Sequence, residues 1–563
     1  MKNLKYTIIG LMFFFSSCSL EENPESYITK ETFYQTEEQC WSALRAIYTP
    51  LHHIYGKQFL TATEGATDLW FINNSTYDAS LSINPTTCGV AEDVWKYAYK
   101  GIARANECIE CIAESPVDKS VIAPMVAEAR AMRGLYYHIL TSFFCDVPFY
   151  LEAVSDMKAL EEVRKLKRTP AETIRTLIYK DLKENALPYF TEENGLKCCA
   201  NQVKNEHAGY ALALMVMAKM AMWNEKWEDA LYALDKLEET YEEAYGEFSE
   251  PNFPLEDTKW STHMPNETIF EIQHAWDPNG VKFYGSVASV MSPKCSGNGI
   301  YDGVYMPMFD NVGSSSTPLK ANLHYACFVS NNNSKTEHSA NAKAIFPALP
   351  LKLTNELYVK DSDNKRYCSA IDMEAIRTGV VTSNGKQVRL DRRILLTLGL
   401  GNLETGEMFS SLREGGKFYG GPKFWCEGMT ANYDSNNYRI MRYADAVLMQ
   451  AECHMNLNNL SDAVDYLNKV KARAGIDDYT NTTNKAKLLK EIQDERAREL
   501  GGEFQRKFDL VRWGVWYDWT YANNALSKLK ANLKGKKYLE YYPIPESECA
   551  LSGGALTNDA YYE

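Results

Sequence analysis

Between Arg439 and Gly514 the apolar residues recur at a spacing that paired helices satisfy. Ala444, Leu448, Ala451 and Met455 line one face of a 3.6-residue helix. Asn456, Asn458 and Asn459 interrupt it. Leu460, Ala463, Leu467, Val470 and Ala474 then resume the pattern until Gly475, a residue suited to a left-handed C-cap. A third helix, Lys487 to Leu500, stops at Gly501 and Gly502 and is followed by Phe504, Arg506, Phe508, Asp509, Leu510, Arg512 and Trp513. The spacing predicts a helical hairpin whose small alanines let two backbones approach closely, fastened by a charged and aromatic third segment.

The pattern has an earlier counterpart. Glu206 to Trp223 and Trp227 to Tyr245 can be laid on it at constant offset, with Ala211, Ala218, Asp229, Ala230 and Leu234 opposite Ala444, Ala451, Asp462, Ala463 and Leu467. Helix pairs cannot bury their own faces, so a repeated pair predicts a tetratricopeptide-like scaffold stacked into a curved array. Further helices are predicted over Lys30 to Tyr55, Val90 to Glu114, Asp118 to Phe144 and, from a Thr169–Pro170 start, to Leu187. The fold class is mainly α. Thr61 to Pro85 lacks periodicity and reads as a loop. From 246 to 437, Gly, Pro, Asn and Ser are dense and strand-like pieces such as Thr268 to His274 are short. This is a long irregular, loop-rich excursion on the helical scaffold, and such excursions usually serve binding. It separates an N-terminal helical part, 31–245, from a C-terminal part, 438–563.

The N-terminus carries the most specific local signal. Lys2 and Lys5 precede an apolar run from Tyr6 to Phe15, which is of signal-peptide rather than membrane-spanning length, and Ser16, Ser17 and Cys18 close it. This resembles a bacterial lipoprotein signal over 1–17. Cys18 would be the lipidated first residue of the mature chain, and 18–30 an acidic tether. The formal charge of −14 becomes −16 once the two leader lysines are removed, which argues against nucleic acid as a partner.

Catalytic and metal signatures fail one by one. There is no H-E-x-x-H and no G-x-S-x-G, while Gly401 to Gly406 has P-loop spacing but continues with Glu407 and Met408. Cys108 and Cys111 are spaced C-x-x-C inside a helical pattern, so buried thiols or an occasional disulfide outrank zinc. Asp361, Asp363 and Asn364 are spaced like the start of a calcium loop without its later Gly and Glu, so adventitious calcium is all they allow. Arg496, Glu499, Asp509 and Arg512 read as a paired ion network between helices rather than as acid-base machinery. No cofactor, metal or catalytic residue is predicted.

Five blocks, in order along the chain, resemble the SusD/RagB family of outer-membrane nutrient-binding lipoproteins. They are the lipobox at Cys18; Glu128 to Ala131 with Arg133, Tyr136 to Leu140 and Asp146–Val147–Pro148; Arg168–Thr169–Pro170 with Asp181, Leu182, Leu187 and Pro188; Arg442–Tyr443–Ala444 through Arg473 and Gly475 to Glu495, Arg496, Glu499, Asp509, Arg512 and Trp513; and Tyr542 to Pro545 with Glu548. Cys145 stands where the family usually has Gly, Gly501 and Gly502 replace a more apolar pair, and Asn558 to Tyr561 only loosely echoes the family's close. The resemblance implies four tetratricopeptide-like units and an outer-membrane, surface-exposed location. It also implies a SusC-like TonB-dependent transporter that the lipoprotein covers as a lid while presenting oligosaccharide for import. RagB-type relatives handle peptides, and a surface glycoside hydrolase acting on the same polymer is a further alternative.

A sugar ring offers an apolar C–H face and a polar rim, so an aromatic ring in a polar loop matches both. Trp70, Phe71, Trp276, Phe283, Tyr284, Tyr301 and Tyr305 meet that description and are the candidate ligand-binding residues. Trp276 leads because the strand Thr268 to His274 positions it. Trp223, Trp227 and Trp513 lie in helical patterns and are assigned to the core. Replacement of Cys18 by Ala should release the protein from the outer-membrane fraction; retention there on cell fractionation would overturn the lipid-anchor reading.

Overall fold

The helix pairs form, and their ends are set by particular residues. In the computed structural model, α1 (Glu37–Arg45) and α2 (Thr49–Ile54) lead to α3 (Ala91–Ala113), α4 (Lys119–Phe144) and α5 (Ala171–Asn185). The hairpin of α6 (Tyr210–Trp223) and α7 (Trp227–Tyr245) precedes that of α8 (Tyr443–Asn456) and α9 (Leu460–Arg473); α10 (Lys485–Leu500), α11 (Arg506–Arg512) and α12 (Trp516–Asn523) follow. The structure describes residues 30–562 except 73–75, 204–205, 277–279 and 281; between 292 and 432 it describes only 300–301, 304–305, 319–321, 345, 358–360, 366–368, 380–383, 386–389, 391–399, 418–424 and 426. The leader, Cys18, the tether, Asp361, Asp363, Asn364 and the Gly401 to Gly406 segment lie outside the described residues.

Asp118 starts α4 by accepting the Ser120 amide at 2.8 Å. The helix stops at Cys145, whose φ of +63° is left-handed, a conformation that favours the glycine expected there by resemblance. Gly475 ends α9 with φ +77°, as its position predicts. Gly101 lets α3 and α4 close up: a Cβ there would fall 2.2 Å from the Tyr136 ring.

Two expectations change. The single helix predicted over Lys30 to Tyr55 is three short ones, because Thr36 and Gln39 form a capping box at α1 and Pro50 opens α2. The Thr61 to Pro85 loop holds a π turn, Thr61–Gly65, the strand β1 (Trp70–Ile72) and a short helix, Tyr77–Ser80. These elements are too short to print a period. The π turn is also buried, and Glu64 within it accepts the amides of Gly502, Gln505 and Arg506, capping the start of α11.

Phe248, Phe253 and Trp260 sit in the same apolar core as the helices, so the beginning of the 246–437 segment is built into the scaffold. The strand β2 (Thr268–Ile272), buried at every position, pairs antiparallel with β5 (Tyr438–Arg442). Between them in sequence, β3 (Ala275–Trp276) and β4 (Lys282–Phe283) form a hairpin. β1 belongs to a four-stranded sheet with Leu319–Ala321, Phe418–Gly420 and Leu398–Gly399.

Buried ions join these layers. Arg442, at the end of β5, reaches Glu499 at 2.6 Å and Glu503 at 2.9 Å, while Arg473 from α9 reaches Glu267 at 3.0 Å and also pairs with Glu499. Arg393 adds contacts to Glu495 and Glu499 at 2.6 and 2.9 Å. Asp445 of α8 binds Lys219 of α6 at 2.6 Å and Arg496 of α10 at 2.8 Å, and Arg496 also holds Asp509. Burial alone would raise the Glu499 carboxyl, but Arg473, Arg442, Arg393 and Lys423 hold it well below the usual carboxylate range. Glu499→Ala should therefore cost about 3 to 5 kcal/mol by stranding several buried cations, read as a large fall in the urea midpoint; an unchanged midpoint would show that the cluster does not fasten the fold.

Candidate functional site

The β2–β5 ribbon projects the β3–β4 hairpin, with Ala275 opposite Phe283 and Trp276 opposite Lys282. Trp276 therefore follows the strand that was expected to position it; only its backbone is described. Phe283 and the next residue, Tyr284, are both 42% exposed. One edge of Phe283 packs on His52 of α2, with ring centroids 3.9 Å apart and planes at 76°. Tyr284 meets Tyr433, itself 37% exposed, at a centroid distance of 4.0 Å and 43° between planes. Two rings from distant segments thus make one solvent-facing aromatic surface.

That surface has a rigid base. The backbones of Gly285 and Asp434 exchange hydrogen bonds of 2.8 and 3.1 Å. Asp434 Oδ2 accepts the Ala288 amide at 3.0 Å, and the Tyr438 hydroxyl accepts the Val287 amide at 2.9 Å and that of Ser286. Gly285 is required by close approach, since a Cβ would lie 2.2 Å from the Tyr438 hydroxyl and 2.5 Å from Asp434 Oδ1. Burial pushes the Asp434 carboxyl up to about 7 despite the backbone amides that favour its charge. Beside the pair, His52 and His274 pack edge to face at 5.0 Å, and burial holds them down to about 3 and about 4, so both imidazoles are neutral at physiological pH.

Not every expected ring joins this surface. Trp70 is fully buried in β1, where its backbone pairs with Ala321, so it is a core residue and its assignment to the ligand surface is corrected. The polar sequence around it conceals a strand whose partner lies far along the chain. Phe71 is half-buried, opposite Lys320. Tyr301 and Tyr305 belong to a small hairpin, with Tyr301 opposite Val304 and Tyr305 opposite Ile300, and their side chains lie outside the described residues. Tyr433 was missed, although Asn432, Asp434 and Ser435 around it make the same aromatic-in-polar-loop signal. Trp223, Trp227 and Trp513 pack on the core as expected, Trp513 also donating to Glu452 at 2.9 Å.

The carboxylates of α10 and α11 are engaged by cations, as the ion-network reading requires. Among the described residues no group of three or more His, Cys, Asp or Glu is arranged to hold a metal, the cysteines are free thiols, and no helix is long and apolar enough to cross a membrane.

Two family models match the chain, one described as SusD family over residues 423–562 and one as starch-binding associating with outer membrane over residues 20–213. SusD-like protein P25 of Formosa agariphila is 25% identical, over 98% of this chain and 97% of its own length. Starch-binding protein SusD of Bacteroides thetaiotaomicron is 26% identical over 38% of each chain. In structure, surface glycan-binding protein A from Bacteroides uniformis superposes with a TM-score of 0.59 at 20% identity, covering 93% of this chain and 100% of that one, a likeness of fold. With one family model at each end and a full-length relative between, this chain belongs to the SusD-like family.

Proposed function

We propose that the protein is a non-catalytic glycan-binding lipoprotein of the outer membrane, anchored through Cys18, that captures oligosaccharide and covers a SusC-like TonB-dependent barrel during import. The observation that carries the binding half is the Tyr284–Tyr433 pair: two exposed rings, mounted on a buried Gly285–Asp434 base, offer a preorganised apolar face to a sugar ring. The relatives named for starch and surface glycan, and the family described as associating with the outer membrane, favour a carbohydrate over a peptide. The barrel partnership rests on family membership. Removing either ring leaves the base intact, so Tyr284→Ala and Tyr433→Ala should each weaken oligosaccharide binding about tenfold, near 1.4 kcal/mol, while the melting temperature moves by a few degrees at most. Calorimetry of the mature protein against malto-, laminari- and xylo-oligosaccharides with peptides as controls reads this directly. Peptide binding with no sugar binding would overturn the carbohydrate assignment. Incubation with any bound oligosaccharide should release no new reducing ends, because the clustered carboxylates are engaged in ion pairs; release above a denatured control would make the protein a hydrolase.

A further inference from the structure

Next to Phe283 a cleft of about 240 Å³ opens between α2 and β2. Its wall is apolar, formed by Leu51, Phe270 and Ile272, and its rim is polar, formed by Arg45, Glu206 and Gln273. His52 lines it as well and touches the exposed Phe283, so the cleft abuts the hairpin that leads into Tyr284.

Three features describe this rim. Arg45 has no ion partner among the described residues, although the other lining charges are engaged. Glu206 takes His263 Nε2 at 2.8 Å, and Glu271 lies 3.6 Å from His263 Nδ1 and 3.6 Å from Arg439. Asn437 fixes the tautomer: its Oδ1 accepts the His274 amide at 2.8 Å, so its Nδ2 donates to His263 Nδ1 at 2.7 Å and to Gln273 Oε1 at 2.6 Å. His263 therefore gives its Nε2–H to Glu206, and Gln273 keeps its amide NH2 for another acceptor. The third feature is strain. Glu206 has φ +58° and Met264, beside His263, has φ +40°, left-handed backbone that L side chains rarely adopt.

Resting on the glycan-binding reading above, we infer that this cleft is a subsite for one neutral pyranose residue, taken from the same oligosaccharide that the Tyr284–Tyr433 pair stacks. The volume falls below the roughly 300 to 1,000 Å³ of pockets that enclose drug-sized ligands, so it suits a single ring. The apolar wall receives the C–H face. The rim supplies donors at Arg45 and Gln273 and an acceptor at Glu206, which suits hydroxyl groups, since each both donates and accepts. The rim carries both signs of charge, Arg45 against Glu206 and Glu271, which favours a substituent that both donates and accepts over a formally charged one.

Glu206→Gly separates ligand binding from folding, because it removes the carboxylate and relieves the left-handed backbone together. The melting temperature should hold or rise while affinity for whichever malto-, laminari- or xylo-oligosaccharide the wild type binds falls about tenfold. Arg45→Ala should weaken the same sugar to a similar extent with the melting curve unchanged. If Tyr284→Ala weakens binding but both cleft variants bind like the wild type, the subsite is overturned and the glycan-binding function stands. If the wild type binds none of the sugars, both fall. A preference of the wild type for oligogalacturonate or chitosan oligomers that Glu206→Gly abolishes would overturn the neutral class.

Discussion

Arg442 and Arg473 meet Glu267, Glu499 and Glu503 where the β2–β5 ribbon crosses α9 and α10, and every one of these side chains is essentially withdrawn from water. Moving an ion out of water costs several kcal/mol, and attraction offsets this only when geometry is near ideal and remaining donors and acceptors are filled. The cluster meets much of that demand through sharing. Glu499 binds Arg442, Arg473 and Arg393, and its carbonyl accepts from Arg442 and Lys423. Planar guanidinium groups suit such multivalent contacts, which a lysine in the Arg442 position could not reproduce. The consequence is register: a ribbon displaced by one residue would leave buried charges facing the wrong way, so the hairpin that bears Phe283 is held to one position.

The same logic extends to the N-terminal side. Glu64 caps α11, Asp68 pairs with Arg506 at 2.7 Å, and Asn524 donates to the carbonyls of Thr67 and Trp70. Segments far apart in sequence are thereby joined around one core. The aromatic surface needs this support, because Tyr284 and Tyr433 belong to different loops and only a common base keeps their rings together.

Legibility in the sequence followed the range of the interactions. The periodic faces of α8 and α9 were readable because helical contacts are local, and Gly475 announced its own left-handed turn. Arg496, Glu499, Asp509 and Arg512 were readable as a network since they lie on successive helical segments close together in the chain. Their other partners were not: Asp445, Glu452, Arg393 and Lys423 arrive through tertiary structure. Trp70 was misjudged for that reason, its strand completed by Leu319–Ala321. Tyr433 carried the same local signal as Tyr284, but nothing local says that Gly285 and Asp434 are neighbours. The cleft was invisible for the same reason, since Arg45, Glu206 and Gln273 are brought together only by folding.

Displaced ionisation often marks a catalytic centre, yet here it marks structure. Burial raises Glu64 and Asp434 to about 7 and lowers Lys507 to about 7. Glu64 is consumed by three backbone amides. Lys507 lies beneath the rings of Trp516 and Tyr542 and donates to the Leu539 carbonyl. Asp434 lies under the Tyr284–Tyr433 surface and makes its base. All three hydrogen-bond to the backbone, Glu64 and Asp434 as acceptors and Lys507 as a donor, which ties them into the fold. What reaches solvent is a pair of hydroxyl-bearing rings and, next to Phe283, a cleft rimmed by Arg45, Glu206 and Gln273. Such a surface can hold a polyol by stacking and hydrogen bonds, and the fixed base beneath it keeps the two rings in one arrangement.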